Sequence, residues 1–467
     1  MAKRTKEAVF RHVQKELREL ESAEGVPFRQ WLDEQRIITA LQRAGVTFRQ
    51  RVFDPLTTLY AFLSQVVASK DSSCEDAVSR VIAERVARGQ LACSPDSSSY
   101  CTARGRLLEP VIADLARETG QELDREAPPE WRWKGRSVKI ADGSTAEMSD
   151  TPENQAEYPQ SSTQKPGLGF PMLRMVVILS LAVGTVLECA LGPCRGKKTG
   201  EQSLFRQIQH VLDSGDILLG DRLYDAYRDI ALLKSRGVDV VLGKKQSRRC
   251  DFRRGRKLGP NDHIVVWTKP RYDAKRFESW AEWEALPAQL EMREIRRVVR
   301  RPGFQTRVVI IVTTLLDGAI HTADELLDLF ALRWHCELDL RALKQSLGMR
   351  RLHCKTPAMV RKELWVYLLA YNLIRVRMAQ AAAIHNRLPR TLSFTAAKTH
   401  IHNFAAYLTT ASKSQRDRLE AELLRAIAHG CLVSRPGRKE PRALKKRQQK
   451  YSYLTKPRTQ ARQGLAA

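Results

Sequence analysis

Three acidic residues stand where a folded chain would offer them to a substrate. Asp142 in KIADGS and Asp221 in ILLGDR each close a short apolar run and adjoin a glycine. Strand ends are common positions for functional side chains in α/β sheets, and two such acids about eighty residues apart can meet on neighbouring strands. Taken alone, Asp142 reads first as an ordinary Asp-Gly turn. The third acid, Glu337, sits among bases in RWHCELDLRALK, residues 333–344.

Projected at about 100° per residue, as on an α-helix, Glu337 lies about 40° from Arg333, with Lys344 about 20° and Phe330 about 60° from the same origin. Leu332, Cys336, Leu340, Leu343 and Leu347 gather on a separate apolar arc. Asp339 points roughly 200° from Glu337, so only Glu337 shares the stripe. The plain structural reading of that stripe is an i, i+4 ion pair worth about 0.2–0.5 kcal/mol on an exposed helix. His335 and Cys336 do not pair as metal ligands, because adjacent helical positions diverge.

The elements that must hold these acids follow from hydrophobic period and turn residues. Helical patterning runs from about residue 7 to 120, as in FDPLTTLYAFLSQVVA, EDAVSRVIAERVA and LLEPVIADLARET, with Ser-rich connectors between. APPEWRWKG, residues 127–135, combines Pro, Gly and aromatics and marks a boundary where the period changes to that of strands. RSVKIADGS predicts a strand, and LRMVVILSLAVGTVLECAL a hairpin turning near Gly184. TGEQSLFRQIQHVLDSG and YDAYRDIALLKSRG predict helices beside the strands DILLGDR and VDVVLGKK, which makes an α/β core with a mixed sheet. From about 245 to 320, EIRRVVRR and TRVVIIVTTL predict a β-rich insertion with basic loops, and helices resume at TADELLDLF. The tail from 435 has many bases against one acid and reads as a poorly ordered polycation.

The chain carries 79 Lys and Arg against 52 Asp and Glu, a formal charge of +27, and such a field attracts polyanions. Nucleic acid is the first candidate partner; a solvated basic surface is the alternative. Nine scattered cysteines without CxxC spacing argue against both a disulfide framework and a zinc finger and fit a reducing compartment. The opening MAKRTKEAVFRH lacks a signal-peptide core, and no apolar run approaches the roughly 18 residues a membrane span needs. KTGEQSLF suits a phosphate at a helix N-terminus, but without GxxxxGK[ST] it implies no nucleotide-driven step.

At this point the residues resemble a known pattern. Phe330, Arg333, Glu337 and Lys344 are spaced like the Y-x2-R-x3-E-x6-K signature of bacterial insertion-sequence transposases of the insertion-sequence-four family. ADGSTAEMSDTPENQAEYP and GDRLYDAY resemble the regions around that family's two aspartates. The resemblance covers roughly residues 50–375, with Phe330 where the signature has tyrosine. It implies a ribonuclease-H-like mixed-sheet catalytic core, split into 135–245 and 321–385 around a β-rich insertion at 246–320. An α-helical N-terminal DNA-binding domain over 1–125 and a helical C-terminal region with a basic tail over 386–467 would flank it.

The same resemblance implies roles. Asp142, Asp221 and Glu337 would be the catalytic and metal-holding acids for two Mg²⁺ ions, with Mn²⁺ substituting, since phosphodiester chemistry is largely positioning and charge stabilisation. Arg333 and Lys344, with Arg341 near the same face, would hold DNA phosphates beside Phe330. Trp267, in competition with Trp280 and Trp283 and with a core position as its alternative, would stack a base turned out of the duplex. The partners implied are the element's terminal inverted repeats and target DNA, bound by a homodimer in a synaptic complex and no membrane, with a cytoplasmic, nucleoid-associated location. The expected activity is cut-and-paste transposition by metal-dependent hydrolysis and strand transfer. A catalytically inactive DNA-binding repressor and a ribonuclease-H-like nuclease without strand transfer are the alternatives.

Overall fold

The computed structural model describes residues 32–68, 73–274, 277, 279–299, 307–432 and 454–463. Among the described residues five helices come first: α1 (Glu34–Arg43), α2 (Pro55–Val67), α3 (Cys74–Ala87), α4 (Ser98–Arg106) and α5 (Glu109–Glu126). Their starts are chemically marked. Asp33 caps α1, Asp54 caps α2 with Pro55 behind it, and Ser73 and Asp76 close a reciprocal capping box on α3.

A mixed sheet follows. β1 (Val138–Met148) leads through α6 (Pro152–Glu157) to β2 (Met172–Ser180) and β3 (Val186–Pro193), an antiparallel meander. Gly184, with φ +79°, makes the turn between the last two, in the left-handed region that glycine enters without steric cost. After α7 (Glu201–Ile208), β4 (Ile217–Gly220) pairs parallel to β1; after α8 (Tyr227–Ser235), β5 (Asp239–Gly243) pairs parallel to β4. This is the α/β core with a mixed sheet that the sequence predicts.

The strands expected of an insertion extend that sheet. β6 (Arg256–Gly259), β7 (Asp262–Thr268), β8 (Gln289–Val299) and β9 (Arg307–Thr313) run antiparallel, and β9 pairs with β5, giving the order β3-β2-β1-β4-β5-β9-β8-β7-β6. A short helix, α9 (Trp280–Ala285), precedes β8. The chain then forms α10 (Ala323–Ala331) and α11 (Trp334–Arg341), which unwinds through a π-turn at Ala342–Ser346 toward β10 (Arg351–Leu352). The helices α12 (Pro357–Ile384), α13 (Phe394–Thr410), α14 (Lys413–His429) and α15 (Arg458–Gln463) follow. Most of the basic tail read from 435 onward lies outside the described residues.

Because side chains alternate across a strand, the sheet buries both faces. Ile140, Ala146, Val177, Leu219 and Val241 share one apolar layer with α2, α5, α11 and α12. Ala141, Val176, Ile178, Leu218 and Val240 share the other with Leu204, Phe205 and Ile230 of α7 and α8. No helix among the described residues is long and apolar enough to cross a membrane.

Asn372, fully buried in α12, ties three elements together. Its Nδ2 donates to the carbonyls of Ala116 and Val186 at 2.8 Å each, and its Oδ1 accepts from the Val186 N–H at 2.9 Å. Gly120 makes the approach possible, since a Cβ there would stand 2.7 Å from Asn372 Nδ2. Asn372→Ala strips these buried groups of partners, at about 1–3 kcal/mol for each left unsatisfied. The expected outcome is a lower urea midpoint by circular dichroism; an unchanged midpoint would show that the clamp is dispensable.

Candidate active site

The sheet has a notch at β1. On the edge facing β4, pairing covers Val138–Ile140 and resumes at Glu147, which pairs with Arg351 of β10. Asp142 lies on this open stretch. It is not at a strand end, as the sequence suggested, but inside β1, which runs on through Gly143 because β2 pairs with it from Lys139 to Glu147. Asp221 does follow a strand end, directly after β4. Continuing the β1–β4 register from Ile140↔Leu219 by two residues sets Asp142 opposite Asp221, on the face that carries α11.

Glu337 reaches the notch from α11. The single helical stripe expected from Phe330 to Lys344 is in fact three pieces: Phe330 ends α10, Arg333 and Glu337 belong to the start of α11, and Lys344 lies in the π-turn. The break is a tight turn, with Arg333 N–H bonding Phe330 O at 3.1 Å and His335 N–H bonding Leu332 O at 2.9 Å. Leu332 accordingly leaves the apolar arc and is exposed, while Cys336, Leu340, Leu343 and Leu347 are buried as expected. Phe330 packs its ring end toward Gly243 at the end of β5. Arg341 is exposed, and Lys344 is half-buried with its ammonium pKa lowered by burial and by Arg350.

Arg333 bridges two of the acids. Its Nη1 lies 3.7 Å from Asp142 Oδ2 and its Nη2 donates to Glu337 Oε1 at 3.3 Å. Asp142 is raised to about 6, mainly by burial; the Gly143 N–H and Arg333 oppose the shift, while Asp221 and Glu201 add to it. Glu201, at the start of α7, approaches from the other face of β1. Its carboxylate oxygens lie 2.7 and 2.8 Å from where a Cβ on Gly143 would stand. Tyr224 lies under the same notch, 2% exposed, its hydroxyl buried without a hydrogen-bond partner. Burial pushes this phenol well above its ordinary pKa, and Asp142, Glu201 and Asp221 push it further.

The donor set at the notch is all oxygen, which is what hard divalent cations take. Among the described residues no three carboxylate, imidazole or thiolate groups are gathered closely enough to enclose an ion. Trp267, the expected stacking residue, is instead a core side chain. It is 7% exposed, donates to Glu294 Oε1 at 3.3 Å and carries the Arg248 guanidinium 3.5 Å above its ring. Trp280, in a cluster with Tyr272 and Trp283, is 54% exposed.

Sequence reasoning missed the residues that hold Glu337 in place. Asp339, on the buried side of α11, accepts two hydrogen bonds from Arg390 at 2.9 Å and one from Arg375. The 200° separation of Asp339 from Glu337 was the available signal, since an acid opposite the working face needs a buried partner. Glu201 and Tyr224 were visible only as parts of KTGEQSLF and GDRLYDAY.

A mixed sheet with acids meeting at a strand notch, and a third acid on a helix after the sheet, is the framework of a DDE transposase. Residues 133–373 match the transposase DDE domain, and the chain belongs to that family. It is 30% identical over 369 residues to the transposase InsG for insertion sequence element IS4 of Escherichia coli K12, covering 76% of this chain and 77% of that one. A piggyBac transposase synaptic complex with hairpin DNA aligns over 89% of this chain and 86% of its own, at 11% identity and a TM-score of 0.43. The protein is therefore an insertion-sequence transposase, an enzyme of DNA cleavage and strand transfer, and its family implies a divalent cation.

Asp339→Ala leaves Arg375 and Arg390 buried without their shared carboxylate, and breaking a buried pair costs roughly 3–5 kcal/mol. The expected outcome is a lower unfolding midpoint together with faster alkylation of Cys336, now fully buried on α11. Unchanged Cys336 labelling by peptide mass mapping would separate Asp339 from the docking of that helix.

Proposed function

We propose that this transposase moves its element by cut and paste, with Asp142, Asp221 and Glu337 as the catalytic acids. The three would hold two divalent cations, Mg²⁺ or Mn²⁺. Such ions supply charge stabilisation at the attacked phosphodiester. The chain's own part is to fix the acids at one notch and to bind and align the DNA. The observation that carries this reading is the Arg333 guanidinium lying between Asp142 and Glu337, 3.7 and 3.3 Å from them, which joins residues from β1 and α11 at one point.

Arg333 and Lys344, assisted by exposed Arg341, position backbone phosphates, Arg333 through its planar fork and Lys344 as a point charge. Phe330 keeps the ring of the family signature without its hydroxyl and supports the β5 end beside Arg333. Among the aromatic candidates for stacking a displaced base, Trp280 has ring surface to offer, and Trp267 would need Arg248 to leave it. The helical N-terminal region reads the terminal inverted repeats, and two chains bring two ends together before attack on target DNA.

The test is a cleavage and strand-transfer assay on the element's own ends with Mg²⁺. Asp142→Ala, Asp221→Ala and Glu337→Ala are each expected to lower cleavage by more than about a hundredfold, beyond the usual effect of losing an outer partner of a metal site, while end binding in a mobility-shift assay persists. EDTA should abolish both steps and Mn²⁺ restore them. Cleavage without joining would favour a nuclease, binding without either a repressor, and full cleavage by any of the three variants would remove that residue from the site.

A further inference from the structure

We infer that Glu201 is a fourth carboxylate of the metal-holding site, seated against Gly143 and backed by the buried hydroxyl of Tyr224. The inference rests on the proposed metal-holding role of the acids and adds a member that the three signature blocks do not contain. Three observations meet at this residue.

The first is shape. Gly143 follows Asp142 directly, and its missing side chain is the space in which Glu201 lies, with both carboxylate oxygens within 2.8 Å of the position a Cβ would take. A glycine at that point of β1 is therefore required by the acid and not by backbone strain, since Gly143 is not among the residues with positive φ. The second is topology. Asp142 and Asp221 come to the notch from one face of the sheet and Glu201 from the other, around a stretch of β1 edge that neither β4 nor β10 covers. An ion at an open strand edge is reachable from both faces.

The third is an orphaned polar group. Tyr224 is 2% exposed, packs edge-on against Phe205 of α7 at 5.1 Å between ring centroids, and has no hydrogen-bond partner for its hydroxyl. Unsatisfied buried groups mark strain, catalysis or an absent ion or water. The Tyr224 ring packs against Gly220, directly before Asp221, with Cδ2 2.9 Å from where a Cβ there would stand. Glu201 lies beneath the β1 backbone at Gly143, next to Asp142, while Arg333 bridges Asp142 and Glu337 on the α11 side.

The experiment uses the full-length protein freed of metal with EDTA and titrated with Mn²⁺, free ion being read by electron paramagnetic resonance. Glu201→Gln is expected to weaken Mn²⁺ binding about tenfold or more, comparable to Asp142→Asn run beside it. In the unaltered protein, Fe²⁺ with ascorbate should cut the backbone near residue 201 as well as near 142 and 221. Wild-type Mn²⁺ affinity in Glu201→Gln with a loss in Asp142→Asn, or Fe²⁺ cuts at 142 and 221 without one near 201, would overturn the assignment of Glu201 alone. Wild-type affinity in both variants would overturn the metal-holding role of the whole cluster, and this inference with it. The Fe²⁺ cut needs no substitution, so it decides the matter even where Glu201→Gln does not fold.

Discussion

Asp339 takes hydrogen bonds from two guanidinium groups in a place that excludes water, and the geometry of the acids depends on that arrangement. Arg390 comes from the turn after α12 and Arg375 from within α12, where its Nε also donates to the Tyr371 hydroxyl at 2.9 Å. Tyr371 in turn donates to the Gly184 carbonyl at 2.9 Å, which fixes the β2–β3 turn. One continuous set of bonds thus runs from the hairpin, through the long helix, to the helix carrying Glu337. Two cations against one anion leave this pocket positive. His335 beside it is held down to about 4, mainly by burial and the repulsion of Arg390, so it adds no third cation at neutral pH. Buried ion pairs contribute little net stability after desolvation; this one sets where α11 lies.

The sheet imposes the complementary constraint. Parallel pairing of β1 with β4 places Asp142 and Asp221 on neighbouring strands and on the same face. Burial of the remaining β1 side chains prevents a slip of one residue, which would turn Asp142 into the opposite layer. Burial, with a smaller push from the gathered acids, raises Asp142 toward neutrality, so the fold works against its own electrostatics at this point. Arg333 offsets part of that repulsion from the α11 side. Glu201 lies on the other side, against Gly143, where the proposed cation would supply the compensating charge.

Much of this was legible in the sequence, for reasons specific to each residue. Asp221 could be placed because an apolar run of four ends in Gly220, and strand ends are marked by composition. Asp142 could be located but not its setting: a strand that continues through Asp-Gly looks like a turn until β2 is seen pairing along it. The helix bearing Glu337 was predicted as continuous because its apolar period survives the break; the break is set by packing, with Leu332 and Trp334 left exposed. Trp267 read equally as a stacking residue or a core one, because composition does not tell a core indole from a presented one. Its partners, Glu294 and Arg248, are distant in sequence. Glu201 shows the limit most clearly, since nothing in KTGEQSLF announces that its acid fills the space beside Gly143.

In the proposed reading Arg333 has two roles that exclude each other at one instant. As a partner of Asp142 and Glu337 it is largely, though not wholly, buried, and partly exposed ion pairs contribute about 1 kcal/mol or less. As a planar fork it matches a phosphate better than it matches two carboxylates from different elements at 3.7 and 3.3 Å. In the proposed reading, a phosphate arriving at the notch therefore competes well for the guanidinium, and its departure frees two acids at the place where cations are wanted. The glutamate set among bases is in this view one end of an exchangeable contact. The helix break before Trp334 supports that exchange, because it puts Arg333 at the free start of α11, where its guanidinium is not committed to helical neighbours on both sides.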